Sequence, residues 1–342
     1  MYFNKKRIID MCKYSYLSNK TELEVNEIYN LYSNYRSTII NNNKFDIFWN
    51  ITNKPIYIEN KSSCDTSCFV FKETITDYNQ YNNQNNNNQN NIIVSFNNFN
   101  NSNNDSNDDS NDESNYKKST LQLPDGISNY FNLQPKICNI YNKNFEHIKD
   151  NLTSVLDKLV NEHFNLNENN TINNITNLNS CELESSNEKN TLLVKDPSNT
   201  KENLESLSYN IIFCGHNTGG GLAQIASLYY KFLYPNANIY CVSFGNPRIG
   251  NYKFNKLFKK HVDEYIRIVH INDIAPLTHS CITYSHHKNV LYIGNDNKNK
   301  NSIYIKIMKN VIFSLLNICK NTYCSSYKQY NIMQYLDYLE KL

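Results

Sequence analysis

One stretch of the chain has the residue types and spacing of a catalytic turn: Ile211-Ile212-Phe213-Cys214-Gly215-His216-Asn217-Thr218-Gly219-Gly220-Gly221-Leu222-Ala223. The apolar run ending at Cys214 predicts a buried central strand. Leu222, Ile225, Ala226, Tyr229 and Leu233 mark one face of a helix starting near Thr218. The turn between them is too short for ordinary side chains to clear one another. Glycines at 215 and 219 flank its apex, so residue 217 stands up at the carboxyl end of the sheet, the geometry of a nucleophile elbow. A serine hydroxyl belongs at that apex, and Asn217 is there instead. The lone pair of an amide nitrogen is delocalised and the group has no usefully ionisable proton, so it cannot attack an ester as an alkoxide does. Asparagine does tolerate positive φ, so the strained turn is expected to persist without its serine.

The rest of the chain must position that turn. Glycine is scarce, with 8 in 342 residues, yet six of the eight lie within 215–250. Such clustering points to backbone geometry that excludes a Cβ. Strands are predicted at 68–76, 208–214, 238–244, 265–271 and 289–293. Phe145, Ile148, Leu152, Val155, Leu156 and Leu159 recur at helical spacing, as do Ile332, Tyr335, Leu336 and Leu339. Alternating strands and helices predict an α/β fold, a mostly parallel central sheet with helices on both faces. Two segments are too polar to build a core. In 81–113, 16 of 33 positions are Asn, and 165–207 mixes Asn, Glu, Ser and Thr. Low apolar content does not offset ordering entropy. We therefore expect one domain over 1–342 with low-complexity, disordered Asn-rich insertions at 79–118 and 165–207. Within the first, 92–96 (IIVSF) reads as a short anchored piece.

These motifs resemble those of the class 3, fungal-type lipases of the α/β-hydrolase fold. The family's elbow reads G-H-S-L-G-G-A-L-A, and this chain reads G-H-N-T-G-G-G-L-A. Residues 243–254 (SFGNPRIGNYKF) are similar to F-G-x-P-R-x-G-N-x-x-F. Residues 267–277 (RIVHINDIAPL) are similar to R-x-V-x-x-x-D-x-V-P-x-L, and 284–293 (YSHHKNVLYI) to F-x-H-x-G-x-x-x-W-I. Upstream, 71–76 (FKETIT) fits F-R-G-T-x-S with Glu73 in the glycine's place, and 123–131 weakly resembles H-x-G-F.

The resemblance implies a triad and an oxyanion hole. A serine is activated by a histidine that an acid orients, while backbone donors hold the tetrahedral oxyanion. On this chain Asn217 takes the nucleophile position and Asp273 the acid. The oxyanion donors would be the backbone N–H groups of Thr218 and of Thr74. The histidine should lie before the last helix, where 329–339 (QYNIMQYLDYL) resembles D-H-x-x-x-x-Y-L and puts Tyr330 in its place. A phenol with a pKa near 10 is a poor base at neutral pH. All eight histidines lie at or before His287. His287 and His279 are the conceivable substitutes, His286 matches a non-triad strand histidine, and His216 matches a structural one. Thr218, Cys214 and Ser243 are the alternative nucleophiles, each expected to be badly placed.

Three functions follow as expectations. The first is a pseudo-lipase of lipid metabolism, catalytically dead or strongly impaired, binding a lipid, an acyl ester or a protein. The second is an active ester hydrolase with a non-standard nucleophile, and the third a non-catalytic interaction scaffold. Lys+Arg 34 against Asp+Glu 32 gives no field for nucleic acid, and no cofactor or metal site is expected. No apolar run approaches a membrane span, and the basic N-terminus lacks an export-signal core, so the expectation is a cytoplasmic or an unassigned location. The amphipathic lid that the resemblance implies is expected to be altered, since the Asn-rich insertion lies in its place as a poor interfacial anchor and the only tryptophan, Trp49, lies upstream. Lys253, Lys256, Lys259 and Lys260 alternate with Phe254, Leu257 and Phe258, which predicts a helix with a solvated basic face.

Overall fold

The computed structural model describes residues 2–34, 51–59, 66–75, 89–98, 118–124, 135–181, 209–278, 283–294 and 330–342. Side chains are described only up to residue 162 in the helix that ends at 181. The strands are β1 (Ile56–Glu59), β2 (Ser67–Ile75), β3 (Gln89–Phe96), β4 (Lys118–Thr120), β5 (Lys136–Cys138), β6 (Asn210–His216), β7 (Asn238–Phe244), β8 (Glu264–His270) and β9 (Val290–Ile293). The helices are α1 (Lys5–Leu17), α2 (Glu22–Asn34), α3 (Asn139–Cys181), α4 (Asn217–Leu233), α5 (Tyr252–His261) and α6 (Ile332–Lys341).

Seven strands form one sheet in the order β1-β2-β3-β6-β7-β8-β9, while β4 and β5 pair separately. Pairing is parallel from β3 through β9 and antiparallel for β1-β2 and β2-β3. The fold is therefore α/β with a mostly parallel sheet, as the alternation of elements predicts. Burial follows the alternation of side chains across each strand. On one face Val94, Ile211, Phe213, Ile239 and Cys241 pack beneath Leu152, Leu156, Leu222, Ala226 and Phe254 of α3, α4 and α5. On the other, Ile93, Ile212, Cys214, Val242 and Ile268 pack against Met11 and Tyr14 of α1 and Tyr335, Leu336 and Leu339 of α6.

The segment 92–96 is more than an anchored piece. It belongs to β3, a buried interior strand lying between β2 and β6. Helix α3 runs to Cys181, so residues 165–181 of the second expected insertion are helical, and 182–207 lie outside the described residues. Of the first, 79–88 and 99–117 also lie outside them, as do Trp49, His279 and 125–131.

Glu73 sits inside β2 with its side chain fully buried. Arg7 of α1 grips it through Nη2–Oε2 at 2.6 Å and Nη1–Oε1 at 2.9 Å. The Tyr14 hydroxyl (3.1 Å) and the Asn91 amide (3.1 Å) donate to the same carboxylate. Four donors thus saturate a carboxylate that would be very costly to bury alone. In α5, Phe254, Leu257 and Phe258 are buried while the four lysines are exposed, so the basic face is a solvated one. Among the described residues no helix is long and apolar enough to cross a membrane, and no cluster of three or more His, Cys, Asp or Glu is placed to hold a metal.

Candidate active site

Strand β6 is paired on both sides, Gly215 with Phe96 of β3 and with Ser243 of β7. Helix α4 begins at Asn217 with no intervening loop. Asn217 has φ +49°, and it is the one non-glycine residue at positive φ among the described residues. The flanking glycines are there for close approach. A Cβ on Gly215 would lie 2.4 Å from the Gly219 carbonyl carbon and oxygen, and one on Gly219 would lie 2.5 Å from the carbonyl oxygens of Phe96 and Asn97. The elbow keeps its strained geometry with an amide at the apex. Asn217 and Thr218 are half-buried at the start of α4, where first-turn N–H groups lack intrahelical acceptors.

Asp273 follows β8 and is 3% exposed. Its Oδ2 accepts from the Tyr335 hydroxyl at 2.6 Å and its Oδ1 from the Ala275 N–H at 3.0 Å. The Tyr330 N–H reaches Oδ1 at 3.5 Å. Burial pushes this carboxyl above its ordinary pKa, and these three donors pull it partly back. The Tyr335 oxygen in turn accepts from the His270 N–H at 3.1 Å. Gly245 (φ +56°) closes the other side, where a Cβ would lie 2.5 Å from Asp273 Oδ2. Among the described residues no imidazole is hydrogen-bonded to this acid.

Tyr330 precedes α6, and its ring stacks on His270 with centroids 3.9 Å apart. His216 is buried between the Asn98 amide, 3.1 Å from its Nδ1, and the Tyr330 backbone. Burial lowers its pKa to about 4, so the ring is neutral. It also meets Tyr335 edge to face at 5.6 Å. Contacts through His216 and Asp273 therefore gather Asn217, Asp273 and Tyr330 at one end of the sheet. His270, three residues before Asp273, is an imidazole there that sequence reasoning did not single out. Tyr330 and Tyr338 (4.5 Å) cover its ring, and its Nδ1 accepts from the Asn272 N–H at 3.2 Å.

Thr74 is elsewhere. It pairs with Asn90, six residues before Phe96, and Phe96 is the residue beside the elbow. At roughly 3.3 Å per residue, Thr74 lies about 20 Å away, at the amino end of the parallel strands. The strand whose carboxyl end adjoins the elbow is β3, because β2 runs antiparallel to it. Expecting Thr74 as an oxyanion donor is thus corrected, and so is the effect of Glu73 on that loop. The backbone against Gly219 is Phe96–Asn98, and two of its donors are taken. The Asn97 N–H bonds the Ser67 carbonyl at 3.1 Å, and the Asn98 N–H bonds Asn19 Oδ1 at 2.9 Å. The signal for this loop was the apolar run 92–96 ending in Asn-Asn, obscured by its Asn-rich surroundings.

Of the alternatives, those among the described residues sit in packing contacts. His287 packs against Phe258 and Tyr265 beside α5, and His286 Nε2 lies 2.6 Å from the Pro276 carbonyl. Ser243 is fully buried against Asn246 and Tyr265. Cys214 is buried, and its thiol is pushed up to about 11.

Comparison with known proteins finds similarity to lipases. Residues 146–282 match the family model described as Lipase (class 3). A curated Caenorhabditis elegans protein, Lipase ZK262.3, is 31% identical over 77 residues, 22% of this chain and 22% of its own length. The chain thus matches about a fifth of that relative. The mono- and diacylglycerol lipase of Aspergillus oryzae superposes with TM-score 0.50 at 15% identity, over 87% of this chain and 83% of that one. Residues 146–282, which hold the elbow and the acid-bearing strand end, are thus similar to the class 3 lipases, and the sheet around them has the α/β-hydrolase fold of the Aspergillus enzyme.

Proposed function

We propose that this chain is a pseudo-lipase: it retains the lipase scaffold and holds a lipid or acyl ester at the carboxyl end of the sheet without the serine route of cleavage. One observation carries the reading: the elbow persists, at φ +49°, with Asn217 at its apex. An amide in that place supplies no nucleophile, while the positive end of the α4 dipole favours a carbonyl or carboxylate oxygen. The surroundings support it. Both oxygens of Asp273 are engaged by Tyr335 and Ala275, the resemblance puts Tyr330 at the histidine position, and the Asn97 and Asn98 N–H groups are consumed.

The test is turnover of p-nitrophenyl butyrate and labelling by a fluorophosphonate probe. The wild type should show neither above a buffer control. The Asn217→Ser/Tyr330→His double variant should gain measurable labelling and turnover, more than either single change. Wild-type labelling that one Ser, Thr or Cys substitution abolishes would overturn the proposal in favour of an active hydrolase.

A further inference from the structure

Positive charge is concentrated on one helix. Helix α5 reads Tyr-Lys-Phe-Asn-Lys-Leu-Phe-Lys-Lys-His and carries no acidic residue. Phe254, Leu257 and Phe258 are buried against the sheet, while Lys253, Lys256, Lys259 and Lys260 are exposed and Tyr252 is 74% exposed. At roughly 100° per residue, Tyr252 and the four lysines lie within an arc of about 120°. Lys288 is also exposed, next to His287, whose ring packs on Phe258 at 5.8 Å. Lys253, Lys256, Lys259 and Lys288 form no ion pair among the described residues. The two carboxylates that follow the helix are engaged elsewhere. Asp263 pairs with Lys231 at 2.8 Å, and Glu264 accepts from the Tyr2 N–H at 2.7 Å. Both histidines flanking this face feel the positive potential. Burial lowers the pKa of each, and Lys260 and Lys231 add to it at His261, as Lys259 and Arg267 do at His287. Five lysines thus gather here in a chain whose net charge is +2.

Strands β7 and β8 are parallel neighbours, so α5, which joins them, returns from the carboxyl end of the sheet to its amino end. Tyr252 therefore stands at the end where the elbow is, and the lysines continue along the flank from it. We infer that this face docks the protein on an anionic bilayer, with the lysines of α5 and Lys288 among the headgroups and Tyr252 at the boundary of headgroup and acyl chain. The chemistry selects that occupant. Compact ammonium groups on flexible stems match a diffuse layer of headgroup charge, and the ring and hydroxyl of tyrosine suit a surface that is wet on one side and apolar on the other. Reading a nucleic acid draws on the planar fork of arginine, and α5 contains no arginine. The docking surface is separate from the elbow and does not depend on what the elbow holds or cleaves.

The experiment is co-sedimentation of the full chain with vesicles. Wild type should bind phosphatidylcholine doped with about 30 mol% phosphatidylserine, whose surface attracts basic segments, and should leave pure phosphatidylcholine unbound. Binding should be lost as salt approaches about 1 M, where the screening length falls to about 3 Å. Each lysine near such a surface strengthens binding about fivefold, so Lys253→Gln/Lys256→Gln/Lys259→Gln/Lys260→Gln should weaken it on the order of several hundredfold. Lys5→Gln/Lys6→Gln/Lys54→Gln/Lys143→Gln removes the same charge from exposed positions elsewhere, and should stay within about twofold of wild type. Tyr252→Ser should weaken binding without changing its salt dependence. If the α5 quadruple variant fails to fold, Lys256→Gln and Lys259→Gln alone decide, each with an expected loss of about fivefold. Equal binding to both kinds of vesicle, or equal losses in the two quadruple variants, would overturn the surface. So would a wild type that ignores anionic vesicles, and its capture by duplex DNA or polyglutamate through the same lysines would reassign the face to an acidic macromolecule.

Discussion

Glu73 offers the sharpest test, because sequence and structure assign it opposite consequences. By motif it replaces a glycine of an oxyanion loop, so restoring glycine should help catalysis. In the structure it is fully buried, about 17 Å from the elbow along the strands, bonded to Arg7, Tyr14 and Asn91. Glu73→Gln keeps the shape and leaves Arg7, itself 5% exposed, without its counter-charge. Removing one partner of a buried pair costs about 3–5 kcal/mol. At about 2–4 °C per kcal/mol, the melting temperature should fall by roughly 6–20 °C. Glu73→Gly should fall further, by about 0.5–1 kcal/mol, because glycine weakens a strand. Replacing both partners with apolar residues, Arg7→Met with Glu73→Leu, should recover much of the loss. Circular dichroism melts of the two single variants and the double variant close a cycle whose coupling energy should exceed about 1 kcal/mol. In the Asn217→Ser/Tyr330→His background, Glu73→Gly should leave ester turnover unchanged after correction for the folded fraction. A Glu73→Gln melt within about 2 °C of wild type, or a rise in turnover on restoring glycine, would refute the placement.

Two further outcomes follow from the site. At φ +49° the apex should accept glycine without loss, whereas Asn217→Val should destabilise by about 1–2 kcal/mol, because a branched Cβ clashes in the left-handed region; urea unfolding of the two variants checks this, and equal midpoints would contradict the strained elbow. Burial raises the pKa of Asp273 in the fold, so the native state holds that proton more tightly than the unfolded chain, and stability contributed by this group falls as pH rises above the ordinary carboxylate value near 4. Asp273→Asn should therefore gain on wild type across that rise, by about 1.4 kcal/mol for every tenfold by which folding weakens the acid, and a pH-independent or opposite difference in unfolding free energy would exclude a raised carboxyl.

Much of the fold was legible because its signals are local. Strands β6, β7 and β8 are short apolar runs, and each begins and ends within two residues of its predicted position. The capping box at Asn331 and Gln334 starts α6 where the apolar spacing begins. Strand β3 was harder to place. Its eight residues are flanked by Asn-rich sequence whose composition reads as filler, and only its two neighbours reveal it as interior. The site divides in the same way. Asp273 was found by spacing from a recognisable strand, whereas Tyr335 on its carboxylate requires the last helix to pack beside β8, 62 residues away in sequence. Arg267 is buried on β8 with its Nε and Nη1 lacking partners among the described residues, and nothing in the sequence signals this, because pairing depends on which charges the fold brings near.

By itself the sequence determined the turn and its chemistry. A strand, two glycines and a helix constrain the backbone within a few residues, and the absence of a hydroxyl at position 217 is a matter of side-chain identity. The tertiary structure decided which strand stands beside that turn, which donors there are already spent, and that Glu73 belongs to an ion pair with Arg7, 66 residues away. Backbone sterics act over a single turn of chain. Strand order and charge pairing arise from contacts between segments whose separation carries no periodic signal, so they appear only once the chain is folded.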